Sequence, residues 1–106
     1  TADTVMNWRE PAVEGHHLIR GLSPYPGAMA LLLKGDRQLR LKILEGRLRD
    51  EVSEIPGTII VTGRERLMIS CVSGGIEILT VIPEGRKKMS ASEFLRGFDP
   101  SGWELA

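Results

Sequence analysis

Short apolar segments separated by glycine-containing turns occupy the middle of the chain, and they limit the folds that it can adopt. Gly74-Gly75 is typical of a hairpin turn, because glycine adopts a positive φ at little cost. Strands this short, joined by tight turns, favour a small barrel or sandwich over a parallel sheet. We predict strands over 28–34, 38–49, 57–62, 67–72 and 76–82, with the last central because it is apolar on both sides.

The predicted strand over 38–49 begins with a strict alternation of apolar and cationic residues. Leu39, Leu41 and Ile43 fall on one face, and Arg40 and Lys42 fall on the other. This pattern predicts one buried face and one solvent-facing, cationic face.

A first helix is predicted after the tail formed by residues 1–7. Pro11 suits the first turn of a helix, where its missing N–H costs nothing, and Gly21 is a natural stop. The segment 24–27 (Pro-Tyr-Pro-Gly) then predicts a rigid corner that packs its aromatic ring on the fold, because two prolines exclude helix and central strand. Trp8 and Trp103 are expected to pack as anchors, with base stacking as the alternative.

A second helix is predicted from Ser90 to about Arg96. Ser90 and Glu93 fit a capping box, while Met89 and Phe94 occupy the two positions of a hydrophobic staple. The three cations that precede this helix, residues 86–88, oppose its dipole and do not stabilise it. They are therefore either solvated or placed for a partner.

The overall composition is that of one globular domain. The chain has 106 residues, and its 14 Lys and Arg balance 14 Asp and Glu, so that any polyanion binding requires a local cationic patch. Cys71 lies in an apolar run and is expected to be a core residue. A single cysteine fits a reducing, cytoplasmic setting. No apolar stretch approaches the roughly 20 residues needed to span a membrane. The first residues look like a linker, so we expect a fragment of a longer protein.

The motifs of catalysis and metal binding are missing from the sequence. No Gly-x-Ser-x-Gly, Gly-x-Gly-x-x-Gly or Walker-type loop occurs. His16 and His17 are neighbours in the predicted helix and point about 100° apart, so they cannot share one metal ion. We expect one surface and one half-buried histidine, no metal site, no catalytic residue and no bound cofactor.

The remaining functional signal is the distribution of cations. One interpretation is a solvated surface, since several carboxylates lie nearby in the sequence. The other is a cationic surface that contacts a nucleic-acid backbone, where each phosphate contact adds salt-dependent affinity. The candidate nucleic-acid-binding residues are Arg20, Arg40, Lys42, Arg64, Arg66, Arg86, Lys87 and Lys88.

Several blocks together resemble the C-terminal domain of methionyl-tRNA formyltransferases. The segment 19–28 is similar to the Ile-Arg-x-x-x-Pro-x-Pro-Gly-Ala signature that opens this domain, and 83–97 to its closing Pro-x-Gly-Lys-x-x-Met-Ser segment. Asn7-Trp8, the Leu-Lys-Ile at 41–43 and the Pro-Gly-Thr-Ile at 56–59 also match, in the right order. Arg86 departs from the usual lysine, which keeps the charge but changes the donor geometry.

The resemblance implies a mainly β fold: a small OB-type β-barrel with an N-terminal helix and a short C-terminal helix. It divides the chain into a linker or tail over 1–8 and one OB-like domain over 9–106. It also implies an N-terminal catalytic domain in the same parent chain, which transfers a formyl group from 10-formyltetrahydrofolate to initiator methionyl-tRNA. The family's catalytic Asn, His and Asp lie in that other domain, and here the cationic residues would hold the tRNA backbone.

Two alternatives stay open. In related formyltransferases that act on a nucleotide sugar or on folate, a similar barrel resembles a scaffold that binds no nucleic acid. A free-standing structural or interaction module would require the chain to be complete.

Overall fold

The structure, a computed structural model, describes residues 4–23, 27–50 and 55–106. It confirms the mainly β class with one helix near each end. In chain order the elements are β1 (Thr4–Val5), α1 (Ala12–Leu22), β2 (Ala28–Lys34), β3 (Arg37–Arg49), β4 (Ile59–Thr62), β5 (Arg66–Ser70), β6 (Gly75–Pro83), β7 (Met89–Ser90), α2 (Ala91–Gly97) and β8 (Glu104–Leu105).

The strands form a single sheet in the order β1-β2-β3-β6-β5-β4. All ladders are antiparallel except the one between β1 and β2. On β2, β1 and β8 share the edge away from β3, and β7 shares an edge of β6 with β5. Within the described ranges no ladder joins β4 back to β1, so the sheet is open there, and the closed barrel expected from the resemblance is only loosely matched.

Strands β3 and β6 form the centre of the sheet, as the apolar pattern of 76–82 predicted. Their ladder runs from Leu41↔Pro83 to Arg49↔Gly75, with register shifts around Glu45. The alternation in β3 is confirmed, since Leu41 and Ile43 are buried while Arg40 is exposed. The shifts at Glu45 bend the strand and increase its twist, which lets one long strand serve two parts of a curved sheet.

Helix α1 extends beyond Gly21, where the sequence predicted that it would stop. Gly21 lies inside the helix, which continues to Leu22 and is followed by Ser23 with φ −76° and ψ 140°. The expected stop at Gly21 was therefore wrong. The residue before a proline disfavours helical φ and ψ, so the proline at 24 ends the helix and no glycine with positive φ is needed. The expected corner at Pro24, Tyr25 and Pro26 lies outside the described residues.

Two glycines allow α1 to approach the sheet closely. A Cβ on Gly15 would lie 2.9 Å from Ile76 Cδ1, and one on Gly46 would lie 2.9 Å from Ile76 Cγ2. At the same crossing, Ile19 is buried. A larger side chain at either glycine would have to displace this contact, so the helix is held at a fixed height over β3 and β6.

The residues at 4–8 also pack on the fold. The Met6 N–H donates to the Met29 carbonyl oxygen over 2.8 Å, and Met6 and Trp8 are only 2% and 1% exposed. Trp8 thus packs as the anchor that was expected. The boundary between a linker over 1–8 and a domain over 9–106 stays a prediction, although the described part of that segment belongs to the core.

Helix α2 begins as its sequence predicts. Ser90 Oγ accepts from the Glu93 N–H over 3.2 Å, and the Ser90 N–H donates to Glu93 Oε1 over 3.4 Å. Phe94 is buried, and Met89 packs against the core beside it. Cys71 is also buried in the core, as expected, and burial raises the pKa of its thiol to about 11.

Candidate nucleic-acid interface

Three consecutive cations lie on a loop that projects from the centre of the sheet. The loop leaves β6 at Pro83 and returns where Met89 pairs with Val81. Its first turn is closed by the Arg86 N–H, which donates to the Pro83 carbonyl oxygen over 2.9 Å, and Gly85 supplies the positive φ of 75°. The loop therefore starts at β6 and ends at β7 and α2, so both ends of the loop are fixed.

The cationic face of β3 lies beside this loop. The Glu84 N–H donates to the Arg40 carbonyl oxygen over 2.9 Å, and Lys42 pairs with Ile82 across the β3–β6 ladder. One shallow surface cavity of about 280 Å³ is lined by Arg40, Lys42 and residues 82–85. The structure therefore joins two predicted groups of cations, and we call them the basic surface: Arg40, Lys42, Arg86, Lys87 and Lys88.

Lys42 is half-buried because its aliphatic chain lies over Gly27. A Cβ on Gly27 would come within 2.7 to 2.9 Å of three Lys42 side-chain carbons. Gly27 itself has φ 95°, and its N–H donates to the Leu22 carbonyl oxygen over 3.0 Å. That hydrogen bond reaches the last turn of α1, the turn that carries the exposed Arg20. One loop thus connects the element bearing Arg20 to the Lys42 side of the basic surface.

Arg64 and Arg66 lie at a different place, the tip of the β4–β5 hairpin. Arg64 has φ 62°, and both side chains are exposed. Arg64 lines a surface cavity with Arg96 and Asp99 from the end of α2 and the segment after it. Hydrogen bonds from Ser101 hold the pKa of Asp99 below its usual value, so this carboxylate stays ionised beside the two arginines. The structure does not bring this hairpin into the cavity that the basic surface lines.

Most cations of the basic surface are exposed to solvent. Lys42 is half-buried and the other four residues are exposed. Within the described ranges, the ion pair found joins Arg49 to the buried Glu77, with Arg49 Nε 3.0 Å from Glu77 Oε1. This ion pair joins β3 to β6 and neutralises the buried Glu77 carboxylate. Neither of its residues belongs to the basic surface. No sequence pattern predicted this ion pair, because the two residues are 28 positions apart.

An aromatic groove borders the basic surface, and it was not foreseen. It has a volume of about 360 Å³ and is lined by the start of β3, the turn at Pro83, α2 and Trp103. Phe94 stacks on Phe98 with ring centroids 4.8 Å apart, and Phe98 lies 5.2 Å from Trp103. The guanidinium carbon of Arg37 is 5.2 Å from the centroid of the Trp103 ring. Arg37 could not be singled out from the sequence, since only the fold brings it to Trp103.

The two histidines lie where the sequence placed them. His16 is half-buried, with Nε2 3.1 Å from the Gly46 carbonyl oxygen, and His17 is exposed. Across the described part of the chain, no group of three His, Cys, Asp or Glu residues is arranged to hold a metal ion. Neither of the described helices has the length and apolarity needed to cross a bilayer.

Fold and surface together define a small, mainly antiparallel β domain that carries a cationic outer surface. Residues 1–99 match the sequence profile of the family described as the formyl transferase C-terminal domain. The chain belongs to this family.

Its curated relatives are methionyl-tRNA formyltransferases. The chain is 41% identical over 98 residues to the one from Mesorhizobium japonicum, covering 91% of this chain and 31% of that protein. It is 42% identical over 97 residues to the one from Cereibacter sphaeroides, covering 92% and 29%. It is 41% identical over 95 residues to the one from Chelativorans sp., covering 90% and 29%. The chain thus spans less than a third of the length of these relatives.

Proposed function

We propose that this chain is the accessory tRNA-binding domain of a methionyl-tRNA formyltransferase. In this role it holds initiator methionyl-tRNA by its phosphate backbone, while an N-terminal catalytic domain of the same parent chain transfers the formyl group from 10-formyltetrahydrofolate. The observation that carries the proposal is the basic surface. There the hydrogen bond from the Glu84 N–H to the Arg40 carbonyl oxygen sets the cationic loop at 86–88 beside the cationic face of β3. The family and its curated relatives support the parent activity.

The chemistry of the basic surface suits a polyanion that is read by shape. Lysine and arginine side chains release condensed counterions when they contact phosphates, so each contact adds affinity that salt weakens. Such contacts fix the position of the nucleic acid and carry little sequence information. A net charge of zero makes tight binding by the whole domain surface unfavourable, so most of the binding affinity comes from the basic surface.

The other candidate cations take outlying places in the proposal. Arg20 extends the basic surface along α1, through the loop that ends at Gly27. Arg64 and Arg66 contact the tRNA at a second point, near the end of α2. We assign no cofactor and no catalytic residue to this domain, and the formyl donor belongs to the other domain.

The test is a titration of this chain with initiator tRNA across a series of salt concentrations. We expect affinity to fall as salt rises, and changing Arg86, Lys87 and Lys88 to alanine should reduce the slope of log affinity against log salt by about 2 to 3. A charge-matched control changes Arg9, Lys34 and Arg47, which are exposed and outside the basic surface. The control should leave the slope within about 1 of the original.

Two results would overturn the proposal. One is an absence of binding even at low salt, which would favour the scaffold role of the domain in a related formyltransferase. The other is an equal loss of slope in the control, which would indicate a diffuse surface charge. The chain alone should also transfer no formyl group when it is mixed with the folate donor and charged tRNA.

A further inference from the structure

The aromatic groove has no role in the phosphate contacts proposed above, although it opens beside them. We propose that it binds one unpaired nucleotide of RNA, with the base against Trp103 and Arg37 and the adjoining phosphate toward Arg86. This inference rests on the proposed function, because the basic surface brings the RNA to the mouth of the groove. It goes beyond phosphate contacts, since it predicts a preference for single-stranded over duplex RNA.

The lining of the groove supplies a stacking surface that is fixed before any ligand arrives. The Phe94–Phe98 pair is nearly parallel, at 22°, and Phe98 supports Trp103 at 51°. Phe94 is buried and Trp103 is half-buried, so one end of this series of rings is anchored in the core and the other is accessible. Every nucleobase has a π face, and aromatic side chains bind bases through it with little dependence on sequence.

Arg37 adds a second planar group and a positive charge at the accessible end. Its guanidinium carbon lies 5.2 Å from the Trp103 centroid, a distance typical of a cation–π contact. Guanidinium planes also stack on unpaired bases in RNA-binding proteins. The volume of about 360 Å³ is at the lower end of the range of about 300 to 1,000 Å³ for small-molecule clefts. The groove therefore suits one nucleotide and is too small for a duplex.

The groove and the basic surface are continuous. Pro83 and Glu84 line both cavities, and Arg86 lines the groove while belonging to the basic surface. An RNA backbone that follows the basic surface thus passes the opening of the groove. This continuity favours a nucleotide within a chain over a free nucleotide, because flanking phosphates add contacts that a monophosphate cannot make.

Two carboxylates in the lining give the groove a further selectivity. Glu84 and Glu93 are both exposed there, and the Glu93 carboxylate is held by the Ser90 N–H. Carboxylates repel a phosphate, but they accept hydrogen bonds from the exocyclic amino groups of adenine, cytosine and guanine. Uracil has no such amino group. The groove should therefore prefer oligo(A) or oligo(C) to oligo(U).

The experiment measures binding of this chain to heptamers of A, C and U and to a blunt RNA duplex with no unpaired nucleotide. Trp103 is changed to Leu, which keeps apolar packing against Phe98 but removes the π face, and to Phe, which keeps it. We expect the Leu variant to lose roughly fivefold to a hundredfold in affinity for oligo(A) and to bind the duplex as before. The Phe variant should retain most of the affinity, and melting temperatures are recorded for both variants.

Intrinsic fluorescence gives an independent measurement, because Trp8 is buried in the core and 1% exposed. With Trp8 changed to Phe, Trp103 is the only tryptophan, and oligo(A) should quench its emission. With Trp103 changed to Phe, the emission of Trp8 should not respond. Adenosine monophosphate at the same concentration should quench weakly, and equal quenching by it would assign the groove to free nucleotides and overturn the inference.

Equal oligo(A) affinity in the original chain and the Leu variant would also overturn it, as would a loss that follows the melting temperature in both variants. The inference and the proposed function fail in different ways. Loss of the cations at 86–88 should weaken the binding of all these RNAs, whereas the Trp103 variants should change only single-stranded binding. Quenching by oligo(A) that persists while tRNA binding is absent would support the groove and refute the tRNA-holding role.

Discussion

Two turns that begin with glycine, at 63–66 and 85–88, carry clustered cations, and they differ in their structural surroundings. The loop after β6 and the tip of the β4–β5 hairpin look equivalent in the sequence, since both combine glycine, glutamate and cations. In the structure, the loop after β6 lies beside the cationic face of β3, because the Glu84 N–H donates to the Arg40 carbonyl oxygen, and the two together form the basic surface of five cations. The hairpin tip lies beside the end of α2, where Arg64 and Arg96 line a cavity with the carboxylate of Asp99.

The difference shows that local charge in a sequence does not define an electrostatic site. Potentials add over all charges within about a Debye length, roughly 8 to 10 Å at moderate salt. Strand pairing decides which charges lie within that distance. The ladder between Lys42 and Ile82 reinforces one turn, whereas the ionised Asp99 offsets the other.

The largest expected effect comes from removing two cations at each of the two places. Changing Arg40 and Lys42 together to glutamine should reduce the salt slope of tRNA binding by about 1.5 to 2, since two phosphate contacts are lost. Changing Arg64 and Arg66 to glutamine removes the same charge and should reduce the slope by less than about 1. Titrations of both variants across a salt series measure this, and equal slopes would mean that the two turns act alike.

A smaller effect is expected from the glycines that shape the turns. Gly85 and Gly63 have φ of 75° and 61°, and an added Cβ at either would meet no atom within 4 Å. Changing either glycine to alanine should therefore lower the free energy of unfolding by a similar amount, about 1 to 2 kcal/mol, from backbone conformation alone. Thermal or urea unfolding measures this cost.

The two glycine variants should then differ in tRNA binding. Alanine at Gly85 shifts the turn that places Arg86 and should weaken tRNA affinity severalfold, whereas alanine at Gly63 should not. If both variants bind tRNA like the original chain, the conformation of the loop after β6 does not matter for binding.

The smallest effect is expected at the cap that fixes the loop after β6 to α2. Ser90 changed to alanine should lower the free energy of unfolding by about 1 kcal/mol, because the Glu93 N–H loses its acceptor. Ser92, whose hydroxyl lies 3.2 Å from the Ser90 hydroxyl and caps no backbone N–H among the described residues, is the matched control, and its change to alanine should cost less. An unchanged unfolding curve for the Ser90 variant would show that the cap does not stabilise α2.

Elements with strong local signals were predicted closely. The strand predicted over 28–34 matches β2, and the alternation in β3 and the capping box of α2 are confirmed. The stop predicted at Gly21 was wrong, because a pre-proline residue ended the helix instead. In each of these cases the deciding interactions lie within a few residues, so one sequence contains the information.

The site divides in the same way. The eight candidate cations could be named from the sequence, and their exposure follows from their charge. Their grouping could not be named, because the β3–β6 ladder joins residues some 40 positions apart. The stacking of Arg37 on Trp103 joins residues that are 66 positions apart in the sequence, and no local pattern marks either one.

The sequence by itself determined the mainly β class, the capped second helix and the family to which the chain belongs. These depend on hydrophobic period, turn chemistry and short-range hydrogen bonds, which neighbouring residues specify. Only the tertiary structure decided that the sheet follows an open path through its described strands, that one cationic turn is reinforced and the other offset, and that an aromatic groove opens beside the first. Those outcomes depend on the pairing of distant strands, where burial of the common core fixes which surface residues meet.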